Sequence, residues 1–353
     1  MKKVFIDCRM LHSGGIGTYL ESLLPYFIKN YECILLGSKE KLQKYSELNA
    51  QIIPCDIPCF SVKELFSFPK EILKKINSCD IYYSPYCNVP SKIKIPVFTT
   101  IHDVVFLDVK ELAGFAGRLA RKYFYKRAIK KSKAIFTVSQ FSKERILHHL
   151  NTGKKPVIVT YNSVPEWFLD DYENLPKTDI ILFVGNIKKH KGLETLLKAF
   201  SIVLSKKIKL KLVLVGNKDN FRSKDNHIWQ LISQMPENTV NFTGRITDSQ
   251  LKNYYQEAKL LVQPSFYEGF GMPPLEALSS RTNVVLSDIP VFKEIYKDFP
   301  VTFFECGNEN DLAQKIIENY AKEPPKNIPQ IYSFSKTFDI INGELEKSFR
   351  QAQ

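Results

Sequence analysis

Short apolar runs alternate with stretches in which apolar positions return at helical spacing, and the alternation extends along the whole chain. The runs cover residues 4–8, 33–36, 81–83, 97–101, 134–138 and 157–160. After a polar, Pro-containing stretch at 170–179 they restart at 180–184, 210–215, 240–242, 260–262, 284–286 and 301–304. Runs this short, bounded by turn residues and separated by helical patterns, predict parallel strands joined by crossover helices. The fold class is therefore α/β, with two doubly wound units spanning 1–168 and 169–334. Residues 193–204 form an amphipathic stretch, and Thr247-Asp248-Ser249-Gln250 has capping-box spacing for the helix that follows. Pro324, Pro325 and Pro329 then break the helical pattern, and a final helix from about 335 toward 353 can pack on either unit.

In open α/β sheets ligands gather beyond the carboxyl ends of the strands, so the residues after each run are the candidates for chemistry. The most informative segment is Ser265-Phe266-Tyr267-Glu268-Gly269-Phe270-Gly271-Met272-Pro273-Pro274-Leu275-Glu276, where a strand, a glycine turn and a helix start meet. Prolines suit the first turn of a helix, because the N–H they lack has no helical partner there. Gly269 and Gly271 let the backbone approach a ligand, the freed amides favour an anion, and Glu268 and Glu276 accept hydrogen bonds from hydroxyls. Phosphate joined to a polyhydroxyl sugar suits this chemistry.

The other loops are less specific. Gly14, Gly15 and Gly17 form either a tight turn or a close approach to a diphosphate. Their spacing is not Gly-x-Gly-x-x-Gly and no acidic residue ends the second strand, which argues against a dinucleotide dehydrogenase. His102, followed by Asp103, reads as a structural histidine or as a group that hydrogen-bonds a sugar hydroxyl. Gly185-Asn186-Ile187-Lys188-Lys189-His190-Lys191-Gly192 is a cationic turn: a solvated loop, or one in which a lysine neutralises a departing diphosphate. Gly216-Asn217 and Gly244-Arg245 follow two further strands, where Asn217 and Arg245 are candidate neighbours of a nucleobase.

Charge adds an asymmetry. Up to Val164 there are 26 Lys and Arg against 13 Asp and Glu, so the whole excess of +13 sits in the first half. This points to an acidic partner for that half: an anionic membrane surface, a phosphorylated acceptor or nucleic acid. The densest patch, 111–133, interleaves Arg118, Arg121, Lys122, Lys126 and Arg127 with Leu119, Tyr123, Phe124, Tyr125 and Ile129. It reads as a basic amphipathic helix, either core-packed with a charged outer face or lying on anionic headgroups. No recognised nucleic-acid-binding module accompanies it, so no nucleic-acid partner is expected. No apolar run is long enough to cross a bilayer and no signal-peptide core follows Met1, so a cytoplasmic location is expected, peripheral on the inner membrane face if that helix binds lipid. Seven cysteines without metal-ligand spacing predict reduced thiols and no metal site.

Taken together, Gly14-Gly15-Ile16-Gly17, Ile101-His102-Asp103, residues 137–143, Phe183-Val184-Gly185 through Lys191-Gly192, residues 240–244 and above all Glu268 through Glu276 resemble the retaining glycosyltransferases of family 4. The resemblance spans nearly the entire chain. It implies two facing Rossmann-like domains of the GT-B type with an interdomain cleft, the second binding a nucleotide sugar and the first an acceptor. Residues 332–337 are similar to the family's C-terminal crossover, which would return the last helix to the first domain.

By the same resemblance, Glu276 holds the ribose hydroxyls, and Glu268 with the backbone of Gly269, Phe270 and Gly271 grips the donor sugar. Lys191 meets the diphosphate, Gly15 closes over it, and His102 lies near the reacting carbon. Asn186 departs from the pattern, since many members carry an arginine there; Lys188 or Lys189 is the substitute. The implied reaction moves a hexose, mannose being favoured, from GDP-mannose or a UDP sugar to a glycan or polyprenyl-linked acceptor in surface polysaccharide assembly. The donor is a substrate, and no cofactor or metal is expected, because no Asp-x-Asp pair is present to hold a divalent ion. The rival expectation is a catalytically inert nucleotide-sugar or lipid-carrier binding protein of the same fold.

Overall fold

The computed structural model describes residues 1–169, 175–186, 188–216 and 226–351. The chain divides into two compact units, Met1–Pro165 with Tyr332–Gln353, and Glu166–Ile331. In the first, seven parallel strands are β1 (Lys3–Asp7), β2 (Glu32–Gly37), β3 (Gln51–Pro54), β4 (Ile81–Ser84), β5 (Val97–Thr100), β6 (Ser132–Thr137) and β7 (Val157–Val159). Their order is β3-β2-β1-β4-β5-β6-β7. Val4 of β1 pairs with both Cys33 and Ile81, so this strand is central and its apolar run is buried on both faces, as a parallel sheet covered by helices requires. β3 has no counterpart among the apolar runs, because Gln51-Ile52-Ile53-Pro54 is a short, partly buried edge strand ending in proline.

The helix Phe334–Gln351 buries Phe334, Phe338, Ile341, Leu345 and Phe349 in the core of this first unit, at a spacing that keeps one face of a helix apolar. Phe338 meets Phe27 edge to face at 5.2 Å, and the Thr337 hydroxyl donates to the Thr160 carbonyl at 3.0 Å. The return begins at Tyr332, whose ring packs on Tyr161 and whose carbonyl accepts the Ser163 hydroxyl at 3.1 Å. The boundaries therefore fall at Pro165 and Ile331 rather than at 168 and 334. At the first of these, the turn Glu166–Leu169 goes with the second unit because Phe168 packs on Tyr255.

The second unit holds β8 (Thr178–Val184), β9 (Lys211–Val215), β10 (Val240–Gly244), β11 (Ala258–Gln263), β12 (Asn283–Ser287) and β13 (Thr302–Phe304), parallel throughout and ordered β10-β9-β8-β11-β12-β13. The chain winds outward in one direction from β8 and in the other from β11. These adjacent strands form the switch point at which a doubly wound sheet leaves a crevice for ligand. The helix Asp248–Glu257 starts with the foreseen capping box: Gln250 N–H donates to Thr247 Oγ1 and the Thr247 N–H to Gln250 Oε1.

The basic helix differs from its expected form. It runs Phe115–Lys131 and buries only Tyr125, Ala128 and Ile129, while Phe115, Leu119 and Tyr123 are 77%, 61% and 51% exposed in one line at four-residue spacing. Two of its arginines are instead engaged within the unit. Arg121 lies between the Phe60 and Phe106 rings, 4.5 and 4.6 Å from their centres, and Arg127 donates to Ser91 Oγ at 2.8 Å. The Arg118 Nε is buried with no hydrogen-bond partner. The outer face is therefore apolar with Lys122 and Lys126 beside it, not an arginine-rich one. Among the described residues, no helix is long and apolar enough to cross a membrane.

Candidate functional site

Two loops leave the switch point of the second unit and are stitched to each other. The loop after β8 ends in a short 3₁₀ turn, Lys189–Lys191, and Gly192. Gly192 has φ +70, and a Cβ there would fall 1.9 Å from the Pro264 carbonyl oxygen of the loop after β11, so no other residue fits. One step along, the Phe266 N–H donates to the His190 carbonyl at 2.8 Å. This contact fixes Lys191 over the glutamate loop: its Nζ donates to both oxygens of Glu268 at 2.7 Å.

Glu268 is buried and also accepts from Ser265 Oγ at 2.8 Å and from Gln263 Nε2 at 3.4 Å. Burial by itself would raise its pKa, but the Lys191 charge and these hydrogen bonds outweigh it and hold the carboxyl below its ordinary value. His190 is pushed the other way, down to about 4, by burial and then by Lys191, so it is neutral. Its Nδ1 and Gln263 Oε1 are buried without partners, which leaves polar atoms at this spot that only a ligand or water would satisfy. The turn continues through Gly269 and the buried Phe270 to Gly271, at φ +83, where a Cβ would strike the Phe292 ring at 2.5 Å.

The chain then enters the helix Pro273–Ser279, with both prolines in its first turn, and this carries Glu276 inward. Among the described residues, no lysine pairs with it. The Tyr255 hydroxyl donates to Glu276 Oε2 at 2.6 Å, and burial, reinforced by Asp248, pushes the carboxyl up to about 7 against that hydrogen bond. Tyr255 carries no signal in the sequence, because it reaches Glu276 only when β11 brings its own helix alongside the glutamate helix.

Of the remaining donor candidates in this unit, Gly185 donates its N–H to the Val215 carbonyl at 3.0 Å, which ties the start of the cationic loop to the end of β9 just before Gly216. Asn186, Lys188 and Arg245 are exposed, and Gly244 turns at φ +73. Asn217 lies outside the described residues. A cavity of about 750 Å³ opens at the opposite ends of the strands, beside Thr178, Leu204, Leu210 and Pro236, away from all of these groups.

In the first unit His102 follows β5. Its Nε2 is 2.8 Å from the Pro85 carbonyl, which can only accept, so that nitrogen carries the hydrogen and Nδ1 is the acceptor. The Tyr19 ring packs edge-on against the imidazole at 4.8 Å, and burial lowers its pKa to about 4, so the ring is neutral. Gly14 and Gly15 begin the helix Gly14–Asn30 and are exposed, Gly14 with open space around its Cα. Gly17 is the tight position, where a Cβ would sit 2.6 Å from the His12 N.

A buried charge network also lies at the end of β1. Arg9 forks onto both oxygens of Asp7, at 2.9 and 2.6 Å, and donates to Glu64, which in turn accepts from Asn88 and from the Phe60 N–H. Its sequence signal is slight: the Asp7-x-Arg9 spacing is unremarkable, and Glu64 is fifty-five residues from Arg9. Among the described residues, no group of three or more His, Cys, Asp or Glu side chains is gathered to hold a metal ion, and all seven cysteines are free thiols.

Comparison with known proteins agrees with this division. Residues 13–166 match the family model described as Glycosyltransferase Family 4, and residues 167–331 the one described as Glycosyl transferases group 1. The O-antigen chain mannosyltransferase RfbU of Salmonella typhimurium is 30% identical over 69% of this chain and 65% of its own length. The O-antigen chain mannosyltransferase B of Escherichia coli is 27% identical over 62% of this chain and 59% of its own, so the matches span less than two thirds of either relative. Among solved structures, Anabaena HepE in complex with UDP and glucose superposes with a TM-score of 0.75, covering 98% of this chain and 100% of that one at 15% identity, a likeness of fold.

Proposed function

Because the chain belongs to the family 4 glycosyltransferases of the GT-B type, we propose that it moves a hexose from a nucleoside diphosphate sugar to an acceptor hydroxyl, with retention of anomeric configuration. The observation that carries this reading is the Lys191–Glu268 pair on two stitched loops at the switch point of the second unit. A cation beside a hydroxyl-accepting carboxylate suits a phosphate bonded to a sugar. Lys191 and the loop amides oppose the charge that develops on the departing diphosphate, and Glu268 with the backbone of Gly269, Phe270 and Gly271 holds the sugar. Glu276 accepts the ribose hydroxyls. In the first unit His102, neutral with Nδ1 as its acceptor nitrogen, and Gly15 are the candidates for substrate contact.

The reading needs no protein base: the leaving phosphate oxygen takes the proton of the acceptor hydroxyl on the face where the new bond forms. It also needs no divalent ion, since Lys191 supplies the countercharge and the sequence lacks an Asp-x-Asp pair. The relatives' names favour mannose, hence GDP-mannose, with a UDP sugar the competitor suggested by the UDP-bound structural neighbour. The acceptor is a glycan or polyprenyl-linked saccharide presented at the cytoplasmic face of a membrane. That surface is met by Phe115, Leu119 and Tyr123 with Lys122 and Lys126, on the unit that carries the excess positive charge.

Incubating the purified protein with a panel of GDP and UDP hexoses and an acceptor, and assigning the product anomer by NMR, tests the chemistry. An inverted product overturns retention, and neither transfer nor hydrolysis of any donor makes the chain an inert binding protein. Flotation with vesicles containing anionic lipid tests the surface. Binding that persists in part at high salt and is lost in Leu119→Ser supports apolar contact, while no binding at any salt rejects it.

A further inference from the structure

Among the described residues the Glu276 carboxylate makes one hydrogen bond. Its Oε2 is held by the Tyr255 hydroxyl at 2.6 Å, and Oε1 has no protein partner among the described residues, yet is not among the buried atoms left unsatisfied. One oxygen is clamped and the other is open. We propose that Tyr255 is a positioning residue for the donor: by occupying Oε2 it stops the carboxylate from turning and presents Oε1 as a fixed acceptor for the vicinal hydroxyls of the donor ribose.

This rests on the assignment of Glu276 to the ribose and extends it to a residue that never touches the ligand. Three features of Tyr255 support the role. It is fully buried, so its hydroxyl has no water to turn to. It is held at both ends, by the Phe168 ring at 5.7 Å and by the Thr282 hydroxyl on its own carbonyl. Burial and the adjacent Glu276 also keep the phenol well above its ordinary pKa, so it remains a donor at every pH at which the protein works. A carboxylate on a side chain with three rotatable bonds loses freedom when it binds, and an oxygen fixed beforehand avoids that loss.

The test is calorimetric binding of UDP and GDP, each beside its 2′,3′-dideoxy counterpart, to the wild type and to Tyr255→Phe. The wild type should prefer the ribonucleotide by on the order of tenfold or more, the scale of hydrogen bonds to a charged acceptor. In Tyr255→Phe the preference should shrink to a few-fold while affinity for the dideoxynucleotide stays put. The ring and its Phe168 contact are kept, so the variant folds, which a melting curve checks. Equal weakening of both nucleotides makes Tyr255 scaffold only and overturns the proposal, as does an undiminished preference. A wild type without any preference removes the ribose assignment of Glu276 itself, and the proposal with it, a pattern visible before any variant is made.

Discussion

Glu268 and Glu276 lie on one continuous segment and are buried to nearly the same degree, 8% and 9% exposed, yet they are in opposite electrostatic states. Glu268 has Lys191 on both oxygens and is held below the ordinary carboxyl pKa, whereas Glu276 has, among the described residues, only a phenol on one oxygen and is raised to about 7. Depth alone therefore does not decide whether a buried acid is charged; the partner does. One carboxylate is built to stay an anion beside a cation, and the other is left responsive to whatever binds it.

The sharpest way to break the comparison is to remove the cation. Lys191→Ala should lower turnover on the order of 10²-fold or more, because the proposed reaction needs that charge most as a diphosphate departs; turnover within a factor of two of wild type would take Lys191 out of the chemistry.

Next in size is stability. Glu276, raised from 4.5 to about 7, binds its proton in the folded state while the unfolded chain has already released it, so its contribution falls as pH rises from 4.5 through 7. Glu276→Gln should therefore melt higher than wild type at pH 8, by about 3 kcal/mol at most, and the gain should fade as pH drops through 7. Glu268, being lowered, contributes stability that is present above 4.5 and is lost only as pH falls through its folded value. Glu268→Gln should be the less stable protein at pH 8 and should approach wild type only in acid. Melting curves that respond alike for the two variants would erase the contrast.

Smaller effects follow on binding. Glu276→Ala should weaken donor about tenfold with saturated turnover little changed, and an unchanged dissociation constant counts against its ribose role. Affinity of the wild type for a sugar nucleotide should decline a few-fold from pH 8 to pH 6 as Glu276 takes up its proton, with Asp248 opposing ionisation and Tyr255 favouring it; in Glu276→Gln the same titration should be flat.

The fold and the loop positions were readable because central parallel strands are unbroken apolar runs, so Val4 or Leu261 declares its place without any contact being known. β3 was not, since two isoleucines before a proline carry no period. Within the site, Lys191, Glu268 and Glu276 were legible from glycines and carboxylates at a strand-to-helix junction. Their pairing was not, because it needs the Gly192 backbone to touch Pro264, seventy-odd residues on in the chain. Tyr255 and the Asp7–Arg9–Glu64 network stayed hidden for the same reason, while the arginines of the basic helix misled because Arg121 found two rings and Arg127 a serine.

The absence of any space between Gly192 and Pro264 also bears on how this part of the molecule can be altered. The stretches 188–192 and 264–271 behave as a single cassette, since a foreign backbone path in either would collide with, or part from, its neighbour. Exchanging one alone for a relative's version should yield a chain that folds poorly, so any re-engineering of this site has to transplant the two together.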